Sequence, residues 1–178
     1  SRRIEVLAQR IAAIFREVRP AGSVRSLDVG CGDMRLAERV AELAPRTVWS
    51  CIDIHELPAD KAGDPRWTKY RSFDGTHIPF PDGSFDFVLI CDVLHHAGEN
   101  DRLLLTEAGR AGRAVIVKDH FEYSLISRSM LWLMDFLGNF GYGVALPKRY
   151  FTQERFAKLA DEAGLGVERI ETGIDLYG

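Results

Sequence analysis

A single doubly wound α/β sheet, mostly parallel and covered by helices on both faces, is the fold class this 178-residue sequence predicts. Three observations carry it. Short, nearly continuous apolar runs alternate with amphipathic helical stretches and nothing repeats, which is the pattern of βαβ units with buried strands. The first apolar run, Ser26-Leu27-Asp28-Val29, passes through the glycine turn Gly30-Cys31-Gly32 directly into a helix. Acids (Asp28, Asp53 and Asp74) end successive strands, and right-handed crossovers place all of them on one edge of the sheet.

Composition sets the outer limits. With 46% hydrophobic and 28% charged residues, the chain reads as one domain over 1–178 with a substantial core. Net charge is -3, and the only tight basic pairs are Arg2-Arg3 and Lys148-Arg149, so a nucleic-acid footprint is excluded. Cys31, Cys51 and Cys91 lack a C-x-x-C spacing and read as reduced thiols, neither bridged nor zinc-binding. No signal peptide and no transmembrane segment is evident, which gives a cytoplasmic location as the expectation. A first residue of Ser1 suggests a trimmed form of a longer protein.

Taken in order, Ile4, Leu7, Ile11, Ile14, Phe15 and Val18 recur at helical spacing and predict a helix over 3–18, ended by Pro20 and Gly22. A strand over 25–29 follows. Asp33 is placed to cap the next helix, 35–43, which turns Leu36, Val40 and Leu43 inward and stops at Pro45. Residues 47–54 form a second strand, 67–73 a third and 85–91 a fourth, the last preceded by a proline and glycine turn. A helix over 99–110 presents Leu103, Leu104 and Ala108 to the sheet before a fifth strand over 113–118. Residues 121–137 are apolar on more than one side, and with the aromatic glycine loop that follows they make a helical insertion over about 121–150. It reads as a substrate cover or, with nearly equal weight, as core or a homodimer interface; a lipid-contact helix is less favoured. Thr152 caps a helix over 153–163, and 166–172 is expected as a sixth strand. Beyond Gly173 there is no room for another full strand, so a sheet edge is left exposed.

The ligand can be narrowed from the turn itself. A dinucleotide fingerprint G-x-G-x-x-G needs glycine at position 35, where Arg35 stands, and Asp28 would repel a pyrophosphate. A cationic ligand suits Asp28 better. Asp53, about 20 residues beyond the turn, stands where a carboxylate takes a ribose diol in mononucleotide-binding folds.

Asp28, Gly30 and Gly32 resemble motif I of the class I S-adenosylmethionine-dependent methyltransferases, with Met34 where that family has a further glycine. The text Pro79-Phe80-Pro81-Asp82-Gly83-Ser84-Phe85-Asp86-Phe87-Val88, followed by Leu94-His95-His96, is similar to the small-molecule branch of that family, which includes the quinone-biosynthesis type. The likeness covers 24–118. It implies S-adenosylmethionine as cofactor and methyl transfer to a small, partly apolar acceptor. It further implies that Asp74 accepts from the adenine amino group, that the amide of Gly75 meets the ring edge and that Ile54 packs on one ring face. Cys91 and Asp92 would lie beside the methionine part, with Asp28 near the amino end of the ligand; the first helix would form a lid, although simple packing on the sheet is the favoured reading and the two are compatible. A seventh, antiparallel strand is normal in the family and is expected to be missing here.

Displacement at a sulfonium needs no acid for the leaving thioether, so only the acceptor requires a base. The candidates are His95 or His120, then His96, then Tyr150, with Asp119, beside His120, able to orient an imidazole; each histidine taken singly reads first as a loop hydrogen-bond partner or wall residue and second as a base. A carbon acceptor that ionises unaided needs none of them. Asp92, His95, His96 and Asp119 lack a dedicated metal-ligand spacing, so no metal is expected. Two other function classes stay open: a methyltransferase-like binding module without turnover, favoured by Met34, and a nicotinamide oxidoreductase, disfavoured by Arg35 and Asp28.

Overall fold

The computed structural model describes residues 1–18, 22–120 and 151–176. Five strands, β1 (Val24–Val29), β2 (Thr47–Asp53), β3 (Tyr70–Ser72), β4 (Phe85–Cys91) and β5 (Gly112–Lys118), form one sheet in the order β3-β2-β1-β4-β5. Every pair is parallel, so all carboxyl ends share one edge. The central strands β1 and β4 are buried nearly throughout, as strands covered on both faces must be.

Helix α1 (Arg2–Val18) and α2 (Arg35–Leu43) cover one face. Leu7, Ala8, Ile11, Ala12 and Phe15 are the buried stripe of α1, and the Phe15 ring stacks on Phe87 at 4.6 Å. The short α3 (Leu94–Ala97), α4 (Asp101–Ala111) and α5 (Gln153–Glu162) pack on the other side, where Leu104, Leu105 and Ala108 meet Leu27, Val88 and Ile90. Thr152 caps α5 as expected, its hydroxyl accepting from the Arg155 amide at 3.2 Å.

Four expectations are corrected. Asp33 is not the N-cap of α2: Met34 holds that place in the left-handed region (φ 63), and Asp33 accepts only from the Arg35 amide at 3.3 Å. Strand β3 is shorter than 67–73, because the 3-10 turn Pro65–Lys69 takes up the buried Trp67. Leu103 is 45% exposed; α4 starts at Asp101 and turns Leu104 and Leu105 inward instead. Residues 166–172 form no strand. Arg169, Glu171 and Asp175 pair in turn with Glu17, Arg10 and Arg2, so this segment runs antiparallel along α1 rather than entering the sheet. Its apolar Val167 and Ile170 stay exposed and offer no buried alternating face to a strand. The expected helix over 121–137, the insertion to 150 and Tyr150 lie outside the described residues.

Candidate active site

The glycine turn between β1 and α2 is built by sterics. Gly30 sits at φ 72 with its amide on the Ile52 carbonyl at 2.8 Å, and a Cβ there would lie 2.3 Å from Cγ2 of Val93. Gly32, at φ 51, has nothing within 4 Å of such a Cβ, so its bare main chain faces open space. Met34 adopts the backbone that a glycine takes easily, and its fully buried side chain belongs to the same core cluster as Ala8, Ala37 and Trp67.

Two acids flank this turn. Asp53 ends β2; its Oδ2 accepts from the Gly32 amide at 2.8 Å and its Oδ1 from His55 at 3.2 Å, so one carboxylate ties β2 to the turn. Asp28 lies in β1 and is 2% exposed. Burial first, then the charge of Asp53, pushes its carboxyl up to about 7. A buried acid of this kind ionises most readily beside a cation.

Farther along the edge, Ile54 is 61% exposed, and Gly75, at φ 83, approaches its Cγ2 so closely that a Cβ would stand 3.2 Å away. Asp74 Oδ1 accepts from the Thr76 amide (2.7 Å), the Thr76 hydroxyl (2.9 Å) and the His77 amide (2.7 Å), which holds its carboxyl below the usual range. The loop is clamped from α4. Glu107 Oε2 accepts from the Ile78 amide at 3.0 Å and lies 2.8 Å from His77 Nδ1, while Arg110 donates to the Ile78 and Phe80 carbonyls, each at 2.9 Å.

At the far end, register places Cys91 opposite Lys118, and the Asp92 amide donates to the Lys118 carbonyl at 2.8 Å. Burial raises the Cys91 thiol. Asp92 is in the left-handed region at φ 56; its carboxylate pairs with Arg3 of α1 and Lys118 of β5 and lies 3.2 Å from His120 Nε2. Burial acts against ionisation, but Lys118, Arg3 and His120 together hold the Asp92 carboxyl low. His95 Nδ1 is 2.5 Å from Asp119 Oδ1, both side chains being 1% exposed. The His95 ring packs on His96 (centroids 4.0 Å apart) and edge-on to His120 (5.7 Å). Burial, then Lys118, lower the His120 pKa from its ordinary 6.5.

The structure thus gathers Asp28, Gly30, Gly32, Asp53, Ile54, Asp74, Gly75, Cys91 and Asp92 along the carboxyl edge of the sheet, with His95, His96 and His120 beyond β4 and β5. The imidazole that Asp119 orients is that of His95; from His120 it takes only the backbone amide, at 2.7 Å. Sequence reasoning missed Arg3, Lys118 and the Glu107–Arg110 clamp. Lys118 was legible as a cation ending an apolar strand; Arg3, on a distant helix, carried no signal. Among the described residues no group of three or more His, Cys, Asp or Glu side chains could hold a metal ion.

Residues 27–114 match the family model of a methyltransferase domain. The matched residues identify a methyltransferase domain in this chain. No curated protein matches it in sequence. Solved structures share its fold: an S-adenosylmethionine-dependent methyltransferase from Aquifex aeolicus superposes with a TM-score of 0.60 at 17% identity, over 88% of this chain and 80% of the other. A Thermotoga maritima methyltransferase described as a possible histamine N-methyltransferase gives 0.61 at 21% identity, over 90% and 70%. The YcgJ protein of Bacillus subtilis gives 0.64 at 16% identity, over 87% and 68%. The cofactor of this methyltransferase is S-adenosylmethionine, and the site fits it: the open space over Gly32 and the exposed Ile54 beside Gly75 leave room along the acidic edge. No helix among the described residues is long and apolar enough to cross a membrane.

Proposed function

We propose that this methyltransferase methylates a small, partly apolar acceptor, and that its cofactor lies along the carboxyl edge from Ile54 to Asp92. The observation that carries the reading is the Asp53 carboxylate bound to the Gly32 amide beside open space. In this reading the remaining acceptor capacity of Asp53 takes the ribose hydroxyls, Ile54 covers an adenine face, and Gly75 and Asp74 meet the ring edge. Asp28, Cys91 and Asp92 border the amino-acid part, with Asp28 answering its cationic end. The cofactor supplies an already activated methyl group when bound. What this chain contributes is alignment and removal of the acceptor's proton, and positioning alone can be worth roughly 7–11 kcal/mol.

Of the three histidines, His120 suits the base. Its ring is partly accessible, and its lowered pKa keeps Nε2 neutral at neutral pH, ready to take a proton. His95 is enclosed and held by Asp119, so it acts as a positioning residue behind His96 and His120. Activity on an oxygen acceptor should rise with pH through a value below 6.5 and then stay level; a profile still climbing above pH 8 would reject His120. The cofactor site is tested by calorimetry with S-adenosylhomocysteine. Asp53→Ala should weaken binding at least about tenfold, the loss expected for a charge-assisted pair. Unchanged affinity in that variant would overturn the assignment.

A further inference from the structure

We propose that Lys118 is a positioning residue that keeps Nε2 of His120 without a proton, by serving the Asp92 carboxylate in place of the ring. The proposal rests on the reading of His120 as the acceptor's base and adds what holds that base ready. The strand ends bring the three side chains together. Lys118 is the last residue of β5, in register with Cys91 of β4, and its carbonyl takes the Asp92 amide at 2.8 Å. Asp92 is thereby seated beside the Lys118 ammonium, and His120 follows two residues on. The side chains of Lys118, Asp92 and His120 are 14%, 16% and 18% exposed, so water and salt screen their contacts poorly.

Two neighbours make opposite demands on one nitrogen. Asp92 Oδ1 lies 3.2 Å from His120 Nε2, a contact that is a hydrogen bond only when Nε2 carries a proton. Lys118 Nζ lies 3.5 Å from the same nitrogen; an ammonium has protons to give and no lone pair, so this contact needs Nε2 bare. The ammonium also pairs with that same Asp92 oxygen. Since a permanent cation already serves the oxygen, a proton on Nε2 gains little from Asp92 and is repelled by Lys118. Burial, then Lys118, depress the proton affinity of the ring; Asp92 and Asp119 oppose them, and His95 of α3 adds to the depression. Asp119, which follows β5, is turned to the His95 ring and to the His120 main-chain amide. Arg3 of α1 bears on the ring through Asp92, pairing with its other oxygen.

NMR of the full chain, with neither cofactor nor acceptor added, tests this. The ring Cε1–H signal of His120 is followed against pH; the chain has five histidines, and His120→Gln identifies the signal required. Lys118→Gln should raise the His120 midpoint by about one pH unit, roughly a tenfold gain in proton affinity, because Asp92 then faces the ring without Lys118. Lys118→Arg, which keeps the charge, should restore the wild-type midpoint. An unchanged midpoint in Lys118→Gln would overturn the proposal, and so would a rise that Lys118→Arg does not reverse, since that traces the effect to packing. A second measurement needs no variant at position 118. Long-range nitrogen–proton spectra of the wild-type chain at neutral pH should place the single ring proton of His120 on Nδ1; a proton on Nε2, given to Asp92, would overturn the proposal even if Lys118→Gln does not fold. None of these spectra depends on turnover. If the pH profile of methyl transfer rejects His120 while the midpoints move as expected, the base assignment fails and the hold of Lys118 on the ring stands.

Discussion

Asp28 shows how a single buried acid couples the fold to its ligand. Its carboxyl titrates near 3.8 when exposed and about 7 in the native chain. Between those values the folded state binds more protons than the unfolded one, so stability falls as pH rises from about 4 to about 7 and stays low above. Asp28→Asn should therefore raise the unfolding free energy at pH 8 by up to about 4 kcal/mol and change little at pH 4. Urea titrations at the two pH values check this, and an equal effect at both would refute it. The two glycines of the turn make a second residue-scale contrast. Gly30→Ala must displace Val93 and hold an unfavourable φ, so a loss of roughly 3 kcal/mol is expected, against about 1–2 kcal/mol for Gly32→Ala, which meets only strain. Equal losses in denaturant midpoint would contradict this account of the turn.

Between neighbouring elements, α4 acts as the support of the loop that carries Asp74 and Gly75. Glu107 and Arg110 hold the main chain of Ile78 and Phe80, so Arg110→Ala should loosen this loop by about 1–3 kcal/mol while the strands keep their protection. Amide exchange at Ile78 is the readout: faster exchange there alone is expected, and unchanged exchange would remove the clamp from the argument. The clamp was not legible beforehand because Glu107 and Arg110 lie about 30 residues from the backbone they hold. Local signals did better. Thr152 at a helix start, the proline and glycine turn before β4 and the apolar runs of β1, β2, β4 and β5 each state their structure within a few residues. Where two local preferences competed, the reading went astray. Asp33 is a good capping residue, yet burying the Met34 side chain decided where α2 begins. Residues 166–172 have strand-like composition, yet their charges found partners along α1.

For the molecule as a whole, parallel register does most of the work. It puts the ends of five strands on one edge, which is why Asp28, Asp53 and Asp74 could be assigned to one site from sequence while Arg3 could not. Both faces of the sheet are sealed by apolar stripes, and the exposed ion pairs that tie residues 169–175 to α1 add little. Asp175→Asn should cost less than about 1 kcal/mol, and a larger fall in the melting transition would make that segment a structural strap. The central claim is that the carboxyl edge holds the cofactor. Amide NMR shifts on adding S-adenosylhomocysteine test it most directly. The account predicts that Gly30, Gly32, Ile54 and Gly75 move at saturation while Val24 and Thr47, at the opposite ends of β1 and β2, stay in place. Shifts confined to Val24 and Thr47, or none at all, would contradict it.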